Sequence, residues 1–160
     1  MAGQAPLTIS PNALLEKCNY LTTSLKSYLI YRTAKMAKGV MIVDDEDEVR
    51  NAITRHFVKN GLEAVAASGG KQCLEHFRNG FNGVVLMDVR MPDIDGWDTI
   101  QEIVKQGYEK SAVIILLTSD RGARSEKLTE FRQYVAEYIP KPVDLKQLVT
   151  AVKNYLRYIE

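Results

Sequence analysis

Five side chains in this sequence stand directly behind apolar runs and belong to types that can do acid, cation or hydroxyl chemistry. Val40-Met41-Ile42-Val43 runs into Asp44-Asp45, and Val84-Val85-Leu86-Met87 runs into Asp88. The apolar run at 112–117 ends in Thr118, and Glu137-Tyr138-Ile139 is followed, past Pro140, by Lys141. Each run reads as a short strand of a parallel sheet, so each delivers its polar residue to a carboxyl end. Taken alone, Asp88 reads as a turn cap. Taken together, three carboxylates at one edge repel one another unless a cation neutralises them. A hard divalent ion with few protein ligands and an open site suits Mg²⁺, which favours carboxylate and phosphate oxygens. A metal beside one free carboxylate, a lysine and a hydroxyl can grip the oxygens of a transferring phosphoryl group, with Asp88 as the nucleophile that forms an aspartyl phosphate.

The elements that must position these residues alternate in type from Gly39 onward. Val49, Ala52, Ile53, His56 and Phe57 lie at helical spacing, and Asn60-Gly61 closes that helix. A short strand at 62–67 turns through Ser68-Gly69-Gly70 into a helix whose inner face uses Cys73, Leu74 and Phe77 and which ends near Asn79-Gly80. After the Asp88 strand, Pro92 and Gly96 forbid regular structure across the loop. Trp97, Ile100, Ile103 and Val104 mark a third helix ending at Gly107, Leu128 and Phe131 a weakly patterned fourth. Leu145, Leu148, Val149, Val152, Leu156 and Ile159 give a well-patterned last one. Five strands alternating with five helices imply right-handed β-α-β crossovers, and so an α/β, doubly wound parallel sheet covered on both faces.

The chain has 160 residues, enough for one domain and a short appendage. Residues 1–38 hold five basic side chains against one acid, and the remainder 16 against 19, so a net charge of +1 divides into +4 and −3. A +4 segment is too weak to argue for nucleic-acid or membrane binding. Cys18 and Cys73 give no disulfide framework and no paired metal-ligand spacing, which fits a reducing cytoplasm. The first ten residues lack a secretory pattern, and no apolar run is long enough to span a bilayer. Ser10-Pro11 is a good helix start, and Leu14, Cys18, Leu21, Leu25 and Tyr28 continue at alternating spacings of four and three. That amphipathic helix can pack on its own domain or pair with a second chain, as in a homodimer. The division expected is an N-terminal helical extension, 1–38, and a domain at 39–160 after which no output domain is expected.

Over residues 39–160 the sequence resembles a response regulator receiver domain of two-component signalling. The residues that carry the resemblance are Val43-Asp44-Asp45, the stretch Leu86-Met87-Asp88-Val89-Arg90-Met91-Pro92-Asp93 with Gly96, Leu117-Thr118-Ser119, and Lys141-Pro142. The resemblance implies a flavodoxin-like five-stranded sheet of order 2-1-3-4-5. It implies that Asp88 accepts a phosphoryl group from a histidine kinase or a histidine phosphotransfer protein. Asp45 would bind Mg²⁺ directly and Asp44 largely through water, with the main-chain carbonyl of Arg90 as a further ligand. Thr118 would hydrogen-bond the arriving phosphoryl oxygens, Lys141 would pair with another, and Tyr138 matches the aromatic that turns inward on activation. The implied protein is a stand-alone receiver, a phosphorylation-controlled binding module and not an enzyme beyond its own phosphorylation and dephosphorylation, acting on a downstream protein that the sequence does not name.

Two rival readings remain. Phosphohydrolases of the haloacid dehalogenase class also use an aspartyl nucleophile with Mg²⁺, but place a second acid two residues later, where this chain has Arg90. An interaction protein with a vestigial pocket is the other. Glu46, Asp47 and Glu48 read as the first turn of a helix, Asp93 and Asp95 as turn formers, and His56 and His76 as structural. Pro140 implies that the fifth strand lies at an edge, and the turn before it lacks the family's usual glycine. Arg90 and Asp120 could pair over the site and slow hydrolysis.

Overall fold

A computed structural model of the protein describes residues 38–119 and 126–159. The N-terminal helix expected within 1–38 and the pairing expected of Asp120 lie outside the described residues. Five strands, β1 (Lys38–Val43), β2 (Ala64–Ala67), β3 (Asn82–Asp88), β4 (Ala112–Thr118) and β5 (Val135–Pro140), alternate with α1 (Asp47–Lys59), α2 (Gly70–Arg78), α3 (Gly96–Lys105), α4 (Glu126–Phe131) and α5 (Leu145–Tyr158). All strand pairings are parallel and the order is β2-β1-β3-β4-β5, as expected. A 3-10 turn, Tyr108–Ser111, leads into β4 and has no counterpart in the sequence reading.

Period-two alternation along the central strands sorts the core into two layers. Met41, Val43, Val85, Met87, Ile114 and Leu116 face α2, α3 and α4, meeting Cys73, Leu74, Phe77, Trp97, Ile100 and Phe131. Val40, Ile42, Val84, Leu86, Ile115 and Leu117 face the other way, onto Ile53 and Phe57 of α1 and Leu148, Val149 and Val152 of α5. Both faces are covered, which is why these strands read as continuous apolar runs. Ala52, included in the α1 series by its spacing, is exposed instead. Pro140 ends the edge strand β5, where its missing donor costs no ladder bond on the outer side. The exit from α4 closes through Tyr134 N–H donating to the Phe131 carbonyl at 2.9 Å. The register of β5 on β4 then shifts between Ile114 and Ile115. A bulge accompanies the glycine-free turn.

Candidate functional site

Register fixes which strand ends meet. Val43 pairs with Met87, so the next residues, Asp44 and Asp88, emerge side by side where the sheet's winding reverses between β1 and β3. Asp88 lies opposite Leu117, and Thr118 opposite Pro140, which brings the ends of β4 and β5 to the same edge. The Lys141 N–H donates to the Thr118 carbonyl at 2.8 Å, extending the ladder by one residue and aiming the lysine at the acids. The Lys141–Pro142 peptide bond is cis.

Asp44, Asp45 and Asp88 offer carboxylate oxygens within 4.8 Å of one another. Asp44 is fully buried and Asp88 is 4% exposed. Asp45 is the more accessible of the three. The ammonium of Lys141 lies 2.9 Å from Asp44 Oδ2 and 3.2 Å from Asp88 Oδ1. The other oxygen of Asp44 accepts from the Glu46 N–H at 2.9 Å. Burial pushes the Asp88 carboxyl above its ordinary range and the Asp44 charge adds to the push, while the Lys141 cation and the Arg90 main-chain N–H hold it back. Burial would lower the Lys141 ammonium, but its hydrogen bond to Asp44 and the Asp88 charge outweigh that and raise it. Two buried acids and one shared cation leave the site short of positive charge.

A divalent cation fits that shortage. Three hard oxygen donors close together, one of them accessible, form the donor set Mg²⁺ takes, and a cation there would offset the burial and the Asp44 repulsion that raise Asp88. Behind the acids, Gly96 is required by a close approach: a Cβ there would lie 2.5 Å from the Asp88 carbonyl oxygen. Asp95 caps α3 by accepting from the Asp98 N–H at 2.8 Å, and Asp93 takes a left-handed turn conformation at φ 69°. Asp47 and Glu48 occupy the first turn of α1. His76 Nε2 is 3.2 Å from the Ala66 carbonyl oxygen, a contact between α2 and β2 away from the acids, and His56 lies half-buried on α1.

The expected residues divide by location. Asp44, Asp45, Asp88 and Lys141 form one cluster, with the main chain of Arg90 beside it and Thr118 at the adjoining strand end. Tyr138 stands apart. Its ring packs near Trp97, centroids 6.4 Å apart, and Trp97 stacks on Phe131 at 5.9 Å. The Tyr138 hydroxyl is buried and finds no hydrogen-bond partner among the described residues. One contributor escaped the sequence reading: Arg50 on α1 donates from Nη1 to the Asp44 carbonyl at 2.7 Å. Arg50 is the fourth residue of α1, and the backward lean of helical side chains carries it toward the helix start and the acids.

The family model of the response regulator receiver domain matches residues 40–153. The chain is 35% identical over 119 residues to the regulatory protein AtoC of Escherichia coli K12, an alignment covering 74% of this chain and 25% of that protein. It is 31% identical over 118 residues to the probable transcriptional regulator ycf27 of Porphyra purpurea, covering 74% of this chain and 47% of the other. Thus the matched part spans under half the length of these relatives. Among solved structures, a CheY-like response regulator receiver domain protein from Methanospirillum hungatei JF-1 is 36% identical with a TM-score of 0.71, covering 76% of this chain and 96% of that one. The response regulator protein TrrA of Thermotoga maritima, in complex with Mg²⁺ and BeF, is 31% identical with a TM-score of 0.63, over 74% of this chain and 99% of that one.

Proposed function

The chain belongs to the response regulator receiver domain family, and from that membership we propose that Asp88 is the phosphoacceptor of a Mg²⁺-dependent signalling switch. The observation that carries the reading is the Lys141 ammonium held between Asp44 and Asp88 at the sheet's carboxyl edge. A carboxylate oxygen of Asp88 attacks the phosphorus of a phosphohistidine on a histidine kinase or histidine phosphotransfer protein. The P–N bond breaks, the imidazole leaves with the bonding pair and takes up a proton, and an aspartyl phosphate remains. Mg²⁺, held by Asp45, Asp44, Asp88 and the Arg90 carbonyl, would supply neutralising charge to the phosphoryl oxygens. Lys141 would pair with one of those oxygens, its charge then shared between them and the acids. Thr118, at the next strand end, would hydrogen-bond another. Phosphorylation replaces the single carboxylate charge with a phosphoryl group carrying roughly −2, and the response passes through Thr118 and Tyr138 to the surface of α4, β5 and α5, where a downstream protein binds. We assign the switch to residues 39–160 and treat 1–38 as an extension. No helix among the described residues is long and apolar enough to cross a membrane.

Incubation with phosphoramidate and Mg²⁺, read by intact mass, tests this. The wild type should gain one phosphoryl group, and Asp88→Asn or chelator should abolish the gain. No gain in the wild type would favour a pocket that no longer turns over.

A further inference from the structure

Two of the three acids sit on a short connection between β1 and α1, and its main chain is gripped from outside the pocket. Arg50 Nη1 donates to the Asp44 carbonyl at 2.7 Å, while Nη2 pairs with the Asp47 carboxylate. The Arg50 side chain is 12% exposed and that of Asp47 79%, so an almost buried guanidinium is braced by an acid at the surface. The gripped carbonyl belongs to the peptide that joins Asp44 to Asp45. Fixing it fixes the plane of that peptide, and with it the position of the Asp45 Cα from which the side chain departs.

The two acids need this support unequally. Asp44 is already tied by Lys141 and by the Glu46 N–H. Among the described residues Asp45 has no hydrogen bond to its carboxylate, so its aim depends on its backbone. We infer that Arg50 is a positioning residue for the metal site: its guanidinium, braced by Asp47, sets the Asp44–Asp45 peptide so that Asp45 points at the position a divalent cation takes. This rests on the metal-dependent reading of the site above. A planar fork suits the task because one arm holds the brace while the other holds the carbonyl, which an ammonium on a single stem does not reproduce.

Charge alone predicts the opposite effect. A guanidinium near a cation site repels the cation, so deleting it would tighten Mg²⁺ binding if field were its contribution. If alignment is its contribution, deletion weakens binding, as removal of outer groups that orient ligands does by about 10–100-fold.

Calorimetric titration of Mg²⁺ into wild type, Arg50→Ala, Arg50→Lys and Asp47→Asn separates these, with urea unfolding in chelator run on each. Arg50→Ala should raise the Mg²⁺ dissociation constant about tenfold, Arg50→Lys should recover only part of the loss, and Asp47→Asn should weaken binding about two- to threefold. Equal or tighter binding by Arg50→Ala overturns the inference, as does a loss of stability in chelator with affinity unchanged. If Arg50→Ala does not fold, wild-type affinity in both Arg50→Lys and Asp47→Asn overturns it. Absence of Mg²⁺ binding by the wild type would instead sink the metal-dependent reading itself, and this inference with it.

Discussion

At the scale of single residues, the pocket trades stability for chemistry, and Asp88 shows the sign. Its carboxyl is raised above the ordinary 3.8, so the folded state holds this proton more tightly than the unfolded chain does. Stability from such a group is present below pH 3.8 and falls as pH rises through the raised value. Asp88→Asn should therefore be more stable than wild type at pH 7 in chelator, with the advantage shrinking as pH approaches 4. Urea unfolding at the two pH values measures it, and a less stable Asn variant would mean that the Lys141 bridge outweighs the cost of burial. Cys73 offers a second case away from the site. Burial pushes its thiol up to about 12, so at pH 8 it is almost wholly protonated and enclosed. In the native protein its peptide should stay unlabelled by iodoacetamide over a period that labels it fully in urea. Labelling at equal rates would show that α2 opens readily.

At the scale of elements, helices are anchored to strand ends through main chain as much as through apolar faces. The turn that carries Asp88 into α3 shows this, with Gly96 N–H donating to the Val89 carbonyl at 3.0 Å. A methyl on Gly96 would meet the Asp88 carbonyl oxygen at 2.5 Å, with Val89 Cα at 3.0 Å, both main-chain atoms that cannot swing away. Gly96→Ala should cost about 1–3 kcal/mol in urea unfolding and also weaken Mg²⁺ binding, because the displaced atom belongs to Asp88, the residue we propose as phosphoacceptor. A stability loss with unaltered Mg²⁺ affinity would place the adjustment in α3 instead. Sequence legibility followed the same division. The strands and their terminal acids were readable because both faces of the sheet are covered, which writes each strand as an apolar run ending where solvent begins. Asp44, Asp88 and Lys141 could thus be placed at one edge before any coordinates. Arg50 was not readable as a contributor, since a hydrogen bond to a carbonyl leaves no periodicity, and the 3-10 turn at Tyr108–Ser111 and the bulge entering β5 depend on backbone geometry that composition does not encode. Ala52 was misplaced because its spacing puts it at the margin of the apolar stripe, where small side chains fall on either side.

At the scale of the whole molecule, a chemical event at the carboxyl edge has to reach a surface, and one layer of the core offers a route. Trp97 of α3, Phe131 of α4 and Tyr138 of β5 form a ring cluster, so movement of any one is felt by three elements. Tyr138 is the member under tension. Its hydroxyl is buried without a partner among the described residues, an arrangement that costs about 1–3 kcal/mol. A ring held by packing yet penalised at its tip is poised between two seats, since a partner for the hydroxyl elsewhere would offset the packing lost. Tyr138→Phe removes the penalty and keeps the packing, so it should stabilise the protein by about 1 kcal/mol in urea at pH 7. Burial also raises the Tyr138 phenol above 10.0, partly opposed by the Arg132 charge, so its contribution is present below that value and lost as pH rises through the folded one. The Phe variant should therefore lose stability less steeply above pH 10. Its effect on signalling follows from the same balance: with the buried seat favoured, the change in Trp97 emission on adding beryllofluoride and Mg²⁺ should be smaller than in the wild type, because the hydroxyl no longer drives the ring toward a second seat. An unchanged emission response together with unchanged stability would show that the hydroxyl has a partner in solution, and that the ring cluster is core packing with no part in the switch.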